Sequence, residues 1–260
     1  MRPALRARAA AAVARAMAER PTETERAGPD SRGIRVETPI WLFAGLVLSA
    51  LTLTGVCARN WVHGDFSVIH ALLVLFLSVN LMVCYLEICL ALCRDYVDQR
   101  IGYWRDFELE TGRSSIVAFL ASRVPLSRLL LPITWADLWA IYSQMDRSYA
   151  DRRSYGYNID FANGFLVPVP TLILYLAYSV DILPAPVTGI IGVMLYWQLV
   201  HGTLVYWIGF FGANLQGGTN RRYLYFVVLG LNSQWVFFGL LGIHVSIQMI
   251  LNGDYSVFGH

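Results

Sequence analysis

Glu87 stands inside an apolar run, Phe76 to Leu92, that reads FLSVNLMVCYLEICLAL. An isolated carboxylate at the centre of a membrane helix costs about 2.5–3.5 kcal/mol, so this side chain is expected to face other helices, protonated or paired. Asn80 lies seven residues earlier, on the same helical face. Asp160 and Asn163 share a face at i, i+3, although Asp160 also suits a helix N-cap. Gln198 and His201 are spaced as another pair, with Thr203 and Tyr206 nearby. Asn232 and Trp235 are one turn apart, and His244 and Gln248 form a further polar pair. Any one such residue is ordinary packing glue in a membrane helix. A polar face on every apolar segment after the first implies a shared internal pocket.

A dry pocket of this make-up suits acid/base chemistry on a hydrocarbon. Protonating an alkene yields a carbocation that water would quench, while aromatic faces hold it without attacking it. Glu87 is the expected proton donor, Asp160 its partner or second acid/base, and Asn232 the group that orients one of them. Asn80, Asn163, Gln198, His201, Tyr206 and Trp235 are expected to contact substrate. Trp197 and Trp207 are further candidates for an aromatic lining. No cofactor is required. The histidines, His63, His70, His201, His244 and His260, are scattered without an HxxxH pattern. The sequence has no Gly-rich phosphate loop, no GxSxG and no acidic pair of the DDxxD kind. Cys89 and Cys93, at i, i+4, read as small packing residues rather than half of a metal site.

These residues need apolar helices to hold them, and the composition supplies them. Of 260 residues, 56% are hydrophobic and only 15% charged, with mean hydropathy +0.49. That balance excludes a disordered chain and a disulfide-stapled scaffold, and a net charge of +2 does not suggest a nucleic-acid partner. The expected fold is all-α: a polytopic membrane protein, a five-helix transmembrane bundle with an interfacial segment between the second and third helices. Residues 1–37 form an arginine-rich polar tail, and 38–260 a single transmembrane domain. The expected spans are 39–58, 67–93, 160–180, 187–211 and 223–251, with an insertion over 94–159. Thr38 and Pro39 resemble a helix cap followed by proline at the first position. Arg59, His63 and Asp65 fall in a loop, and Pro168 and Pro170 should kink the third span. In the insertion, an apolar patch over 116–131 is interrupted by Arg123, Pro125 and Arg128 and reads as interfacial.

All 20 basic residues are arginine, and their placement orients the chain. Five spans put 19 of them on one side: eight in the tail, nine in 94–159 and two in the turn at 217–222. The N-terminus is then inside and the C-terminus outside, in a bacterial inner membrane or an endoplasmic-reticulum-like membrane. The tail reads as a cytosolic segment or a transit peptide, and scarce serine favours the first. Gly202 and Gly209 are small residues on one span that suit a homodimer contact.

Several stretches, in order, resemble the emopamil-binding protein (EXPERA) family. LWAIYSQMDRSY, with Trp139, Tyr142, Asp146 and Tyr149, is similar to a family motif preceding the third span. FLSVNLMVCYLE, ending at Glu87, is similar to the second-span segment that ends in an acid. GTLVY at 202–206 is similar to a fourth-span Gly-Asp-x-x-Tyr run, and LNSQWVFFGLLG carries the last span's Asn-x-x-Trp as Asn232 and Trp235. Val83 stands where the family's isomerase has a histidine, and Thr203 where it has an aspartate. The resemblance implies a five-helix bundle around a sterol-sized pocket and an isomerase acting on a sterol or other isoprenoid, with Glu87 and Asp160 as its acids. Two alternatives stay open: a membrane terpene cyclase and a non-catalytic sterol- or lipid-binding protein. The implied partners are the lipid bilayer and a hydrophobic sterol or terpenoid.

Overall fold

A computed structural model describes residues 37–218, 221 and 224–259. Apart from Glu37, the arginine-rich tail lies outside the described residues, as does part of the turn expected at 217–222. Glu37–Pro39 (β1) pairs antiparallel with Arg123–Pro125 (β2), Glu37 opposite Pro125. The α-helices, in chain order, begin with Ile40–His63 (α1), Val68–Leu92 (α2) and Arg94–Thr111 (α3). Ser115–Ala121 (α4), Leu126–Leu129 (α5), Pro132–Met145 (α6) and Tyr155–Leu166 (α7) follow. Pro168–Val180 (α8), Ala185–Gly212 (α9) and Asn232–Asn252 (α10) come next. A single 3-10 turn, Arg147–Ala150, joins α6 towards α7, and a π-helical segment, Leu224–Leu231, runs straight into α10.

Among the described residues, four stretches are long and apolar enough to cross a membrane: α1, α2, α9 and Leu224–Asn252. The pair α7 and α8 passes the same test together, bent by 52°, so it adds a fifth if it is one span. The bend sits at Val167, because Pro168 and Pro170 have no N–H to continue the ladder and Pro168 instead opens the next helix. Large apolar side chains such as Leu46, Leu53, Ile208, Leu240 and Leu251 point outward from these stretches. Helices α9 and α10 pack through glycines; a Cβ at Gly239 would fall 2.5 Å from Val200 Cγ2.

Several local expectations are corrected. The N-cap of α1 is Pro39 with no side-chain hydrogen bond, because Thr38 is engaged in β1. Arg59 and His63 belong to α1 rather than to a loop; the Arg59 guanidinium is buried over the Phe258 ring and forms a 3.7 Å ion pair with Asp65. Asp160 is not a cap, since α7 starts at Tyr155 and Ser154 accepts from the Tyr157 N–H at 3.1 Å. The insertion over 94–159 is largely helical, and its last residues form the start of α7.

That insertion is bound tightly to the rest. Asp137 of α6 accepts from Arg100 Nε at 2.6 Å and Trp104 Nε1 at 2.9 Å, tying α6 to α3. Trp139 Nε1 donates to the Leu86 carbonyl at 2.6 Å, and Tyr85 Oη to the Leu130 carbonyl at 2.7 Å. Arg94 Nη1 donates to the Tyr149 carbonyl at 2.5 Å, fixing the turn after α6. The region read from sequence as interfacial therefore also leans on α2 beside Glu87.

Candidate functional site

A cavity of about 880 Å³ opens between α2, α6, α7, α9, the π-helical segment and α10. Small-molecule sites run to roughly 300–1,000 Å³, so this one holds a large ligand. Its walls are mainly apolar, with Val83 and Leu86 from α2, Leu138 and Trp139 from α6, and Phe226 and Trp235 from the last stretch.

The polar groups converge on one side of it. Glu87 and Asn80, from α2, meet Asp160 and Asn163, from α7, at the cavity wall. Asn163 Oδ1 accepts from Gln198 Nε2 at 3.0 Å, tying α7 to α9 beside Glu87. Asp160 lies within electrostatic reach of Glu87. Glu87 is 5% exposed, and its Oε2 has no hydrogen-bond partner among the described residues. Leaving such an atom bare costs about 1–3 kcal/mol. Asn80 is committed elsewhere: its Nδ2 donates to Thr171 Oγ1 at 2.8 Å and holds α8 against α2.

A second layer comes from the insertion. Tyr149 donates its hydroxyl proton to Asp160 Oδ2 at 2.6 Å, and Tyr206 donates to Asp146 Oδ2 at 2.6 Å. Asp146 is fully buried and also accepts from the Ser148 N–H at 2.8 Å. Tyr142 and Tyr149 meet edge to face at 4.9 Å, and Trp139 lies 5.4 Å from Tyr149. Burial pushes the Tyr149 phenol well above its ordinary value, and the Asp160 carboxylate pushes it further in the same direction. Burial raises Tyr142 too, with the Asp146 charge adding to it. Both phenols are therefore neutral hydrogen-bonding groups at neutral pH.

On the last stretch, Asn232 Nδ2 donates to the Val227 and Val228 carbonyls at 3.2 and 3.1 Å, and Trp207 Nε1 donates to Val228 at 2.8 Å. A π-helix leaves wide, loosely paired turns and is frequent at functional sites. Here side chains satisfy its carbonyls.

Of the residues expected to form a site, Glu87, Asp160, Asn232, Asn80, Asn163, Gln198, Tyr206 and Trp235 line this one cavity. His201 does not. It is exposed on the outer face of α9 with its ring 5.8 Å from Trp197, which also faces outward. Trp207 packs behind the wall rather than on it. Gly202 lines the cavity, and a Cβ added at Gly209 would meet nothing within 4 Å. Tyr142, Asp146 and Tyr149 were absent from the expected site, although the LWAIYSQMDRSY motif contains them. Among the described residues, no cluster of three or more His, Cys, Asp or Glu is placed to hold a metal ion. No family model, no curated protein and no solved structure matches this chain.

Proposed function

We propose that the chain is an integral membrane enzyme of the emopamil-binding type that isomerises a sterol or other isoprenoid by proton addition and loss. It would span the membrane five times, the bent α7–α8 pair counting as one span, with the N-terminus inside in a bacterial or endoplasmic-reticulum-like membrane. The observation that carries the reading is the placement of two carboxyls, Glu87 and Asp160, on one wall of a large apolar cavity.

In this reading Glu87 gives its proton to one carbon of an alkene, forming a C–H bond and leaving a cation at the neighbouring carbon. Trp139, Tyr142 and Trp235 present ring faces or edges to that space. A different C–H then breaks, its electrons form the new alkene, and its proton goes to Asp160, whose far oxygen is steadied by Tyr149. Proton count and charge balance over the cycle once the two acids re-equilibrate. Ring closure of the cation before proton loss would give a cyclised product by the same first step.

Incubation of the purified full chain with candidate isoprenoids in deuterated water tests this. Deuterium at carbon, lost in Glu87→Gln, is the expected result, and the product's skeleton distinguishes isomerisation from cyclisation. Recovery of a tightly held isoprenoid with no label, unchanged by Glu87→Gln, would overturn it in favour of a binding protein.

A further inference from the structure

Most of the residues that line the cavity are buried or half-buried, and the exposed ones come from a single segment. Tyr225 is 66% exposed, Phe226 72% and Leu231 50%, and all three belong to the π-helical Leu224–Leu231. A wall residue that is also surface marks a mouth. The segment is held on one side by Trp207 of α9 and continues into α10. Half-buried Leu86, Ile116 and Leu138, from α2, α4 and α6, line the same cavity. The exposed wall residues are aromatic or aliphatic, and they lie on Leu224–Asn252, a stretch long and apolar enough to cross a membrane. Side chains of that kind on a spanning stretch border hydrocarbon rather than water.

We infer that the cavity is entered sideways from the bilayer, beside the π-helical segment, and that its ligand is a membrane-dissolved hydrocarbon lipid. This rests on the membrane reading of the chain and on the cavity as its site, but not on proton chemistry. The π-helical turn suits a movable jamb. Asn232 and Trp207 bond its Val227 and Val228 carbonyls, so opening the turn needs new partners for them. A ligand held in the cavity shares its walls with Phe226, Trp235 and Glu87.

The test uses the full chain in vesicles of phosphatidylcholine whose acyl chain bears a mid-chain diazirine, with adducts mapped by mass spectrometry after irradiation. Adducts on Tyr142 and Trp235, inside the cavity, are expected alongside those on the outward Leu240 and Leu251. Leu231→Trp, which places a larger ring at the mouth, should cut the interior adducts several-fold and leave the outward ones unchanged; Val227→Trp repeats the test from the same segment. Adducts confined to outward positions, or interior labelling undiminished in both variants with outward labelling intact, would overturn the inference. Because the readout is adduct formation rather than turnover, interior labelling without deuterium transfer would sink the chemistry and keep the entrance.

Discussion

Gly164 of α7 lies against the backbone of α2 at Glu87: a Cβ built on it would sit 2.9 Å from the Ile88 nitrogen and 3.0 Å from Glu87 Cβ. Only a residue without a side chain lets the two helices come this close, and one turn earlier Asp160 reaches the same wall as Glu87. Gly164→Ala must push α7 off α2. Overpacking of this kind costs about 1–3 kcal/mol, and the carboxyl pair should separate with it. Thermal unfolding in detergent checks this against Gly102→Ala, where nothing lies within 4 Å and helix propensity alone predicts a gain of up to about 1 kcal/mol. Equal behaviour of the two variants would show that the close approach is not needed.

Tyr149→Phe removes the hydroxyl that donates to Asp160 at 2.6 Å and leaves the ring packing on Trp139 and Tyr142 in place. A buried acceptor deprived of its donor costs about 1–3 kcal/mol. The stability loss should be accompanied by slower deuterium transfer, since Asp160 would lose the bond that orients it. Tyr103→Phe, on the exposed face of α3, is the matched control. Loss of stability with unchanged transfer would confine Tyr149 to a structural part.

The phenols of Tyr142 and Tyr149 are held protonated by burial first and by neighbouring carboxylates second. A folded-state value above the unfolded one favours the protonated form in the fold. The associated stability is therefore complete below the ordinary tyrosine value of about 10 and is lost as pH rises above it. Ultraviolet titration at 295 nm should show the exposed tyrosines ionising in the ordinary range. In Tyr142→Phe and Tyr149→Phe the late-titrating amplitude, which accompanies unfolding, should shrink. An unchanged late amplitude in both variants would place these phenols in water.

Much of the cavity was legible because polar groups in apolar runs are energetic anomalies. Glu87, Asn80, Gln198 and Asn232 each interrupt a helix that otherwise suits lipid, which points each of them inward, and the family resemblance points to Glu87 and Asn232 as well. His201 shows where the argument breaks. Spacing from Gln198 suggested one face, but α9 divides into an inward row through Gln198, Gly202 and Tyr206 and an outward row through Met194, Trp197, His201 and Ile208. A three-residue step leaves a residue on the border of a stripe, and packing decides its side. The insertion was read as interfacial because its charges and prolines mask the contacts that only tertiary structure reveals. Trp139 on the Leu86 carbonyl and Tyr149 on Asp160 join residues 53 and 11 positions apart, and neither pairing has a periodic signature. The π-helical segment is equally silent: LYFVVLGL reads as any apolar helix.

That segment supplies the last test. A Cβ on Gly230 would meet the Tyr225 carbonyl oxygen at 3.0 Å, and Asn232 spends its amide protons on Val227 and Val228. Asn232→Leu keeps the bulk and removes both bonds; Val228 keeps Trp207 while the Val227 carbonyl loses its side-chain partner, at about 1–3 kcal/mol if it is left unsatisfied. The cheapest response is for the segment to open or to rewind towards ordinary α-helix. Either change alters amide hydrogen exchange over 224–231 and leaves 240–252 unaffected, because that part of α10 is anchored on α9 through Gly239 and Gly242. Unchanged exchange over 224–231, together with lost isoprenoid turnover, would mean that Asn232 works on the ligand and not on the turn.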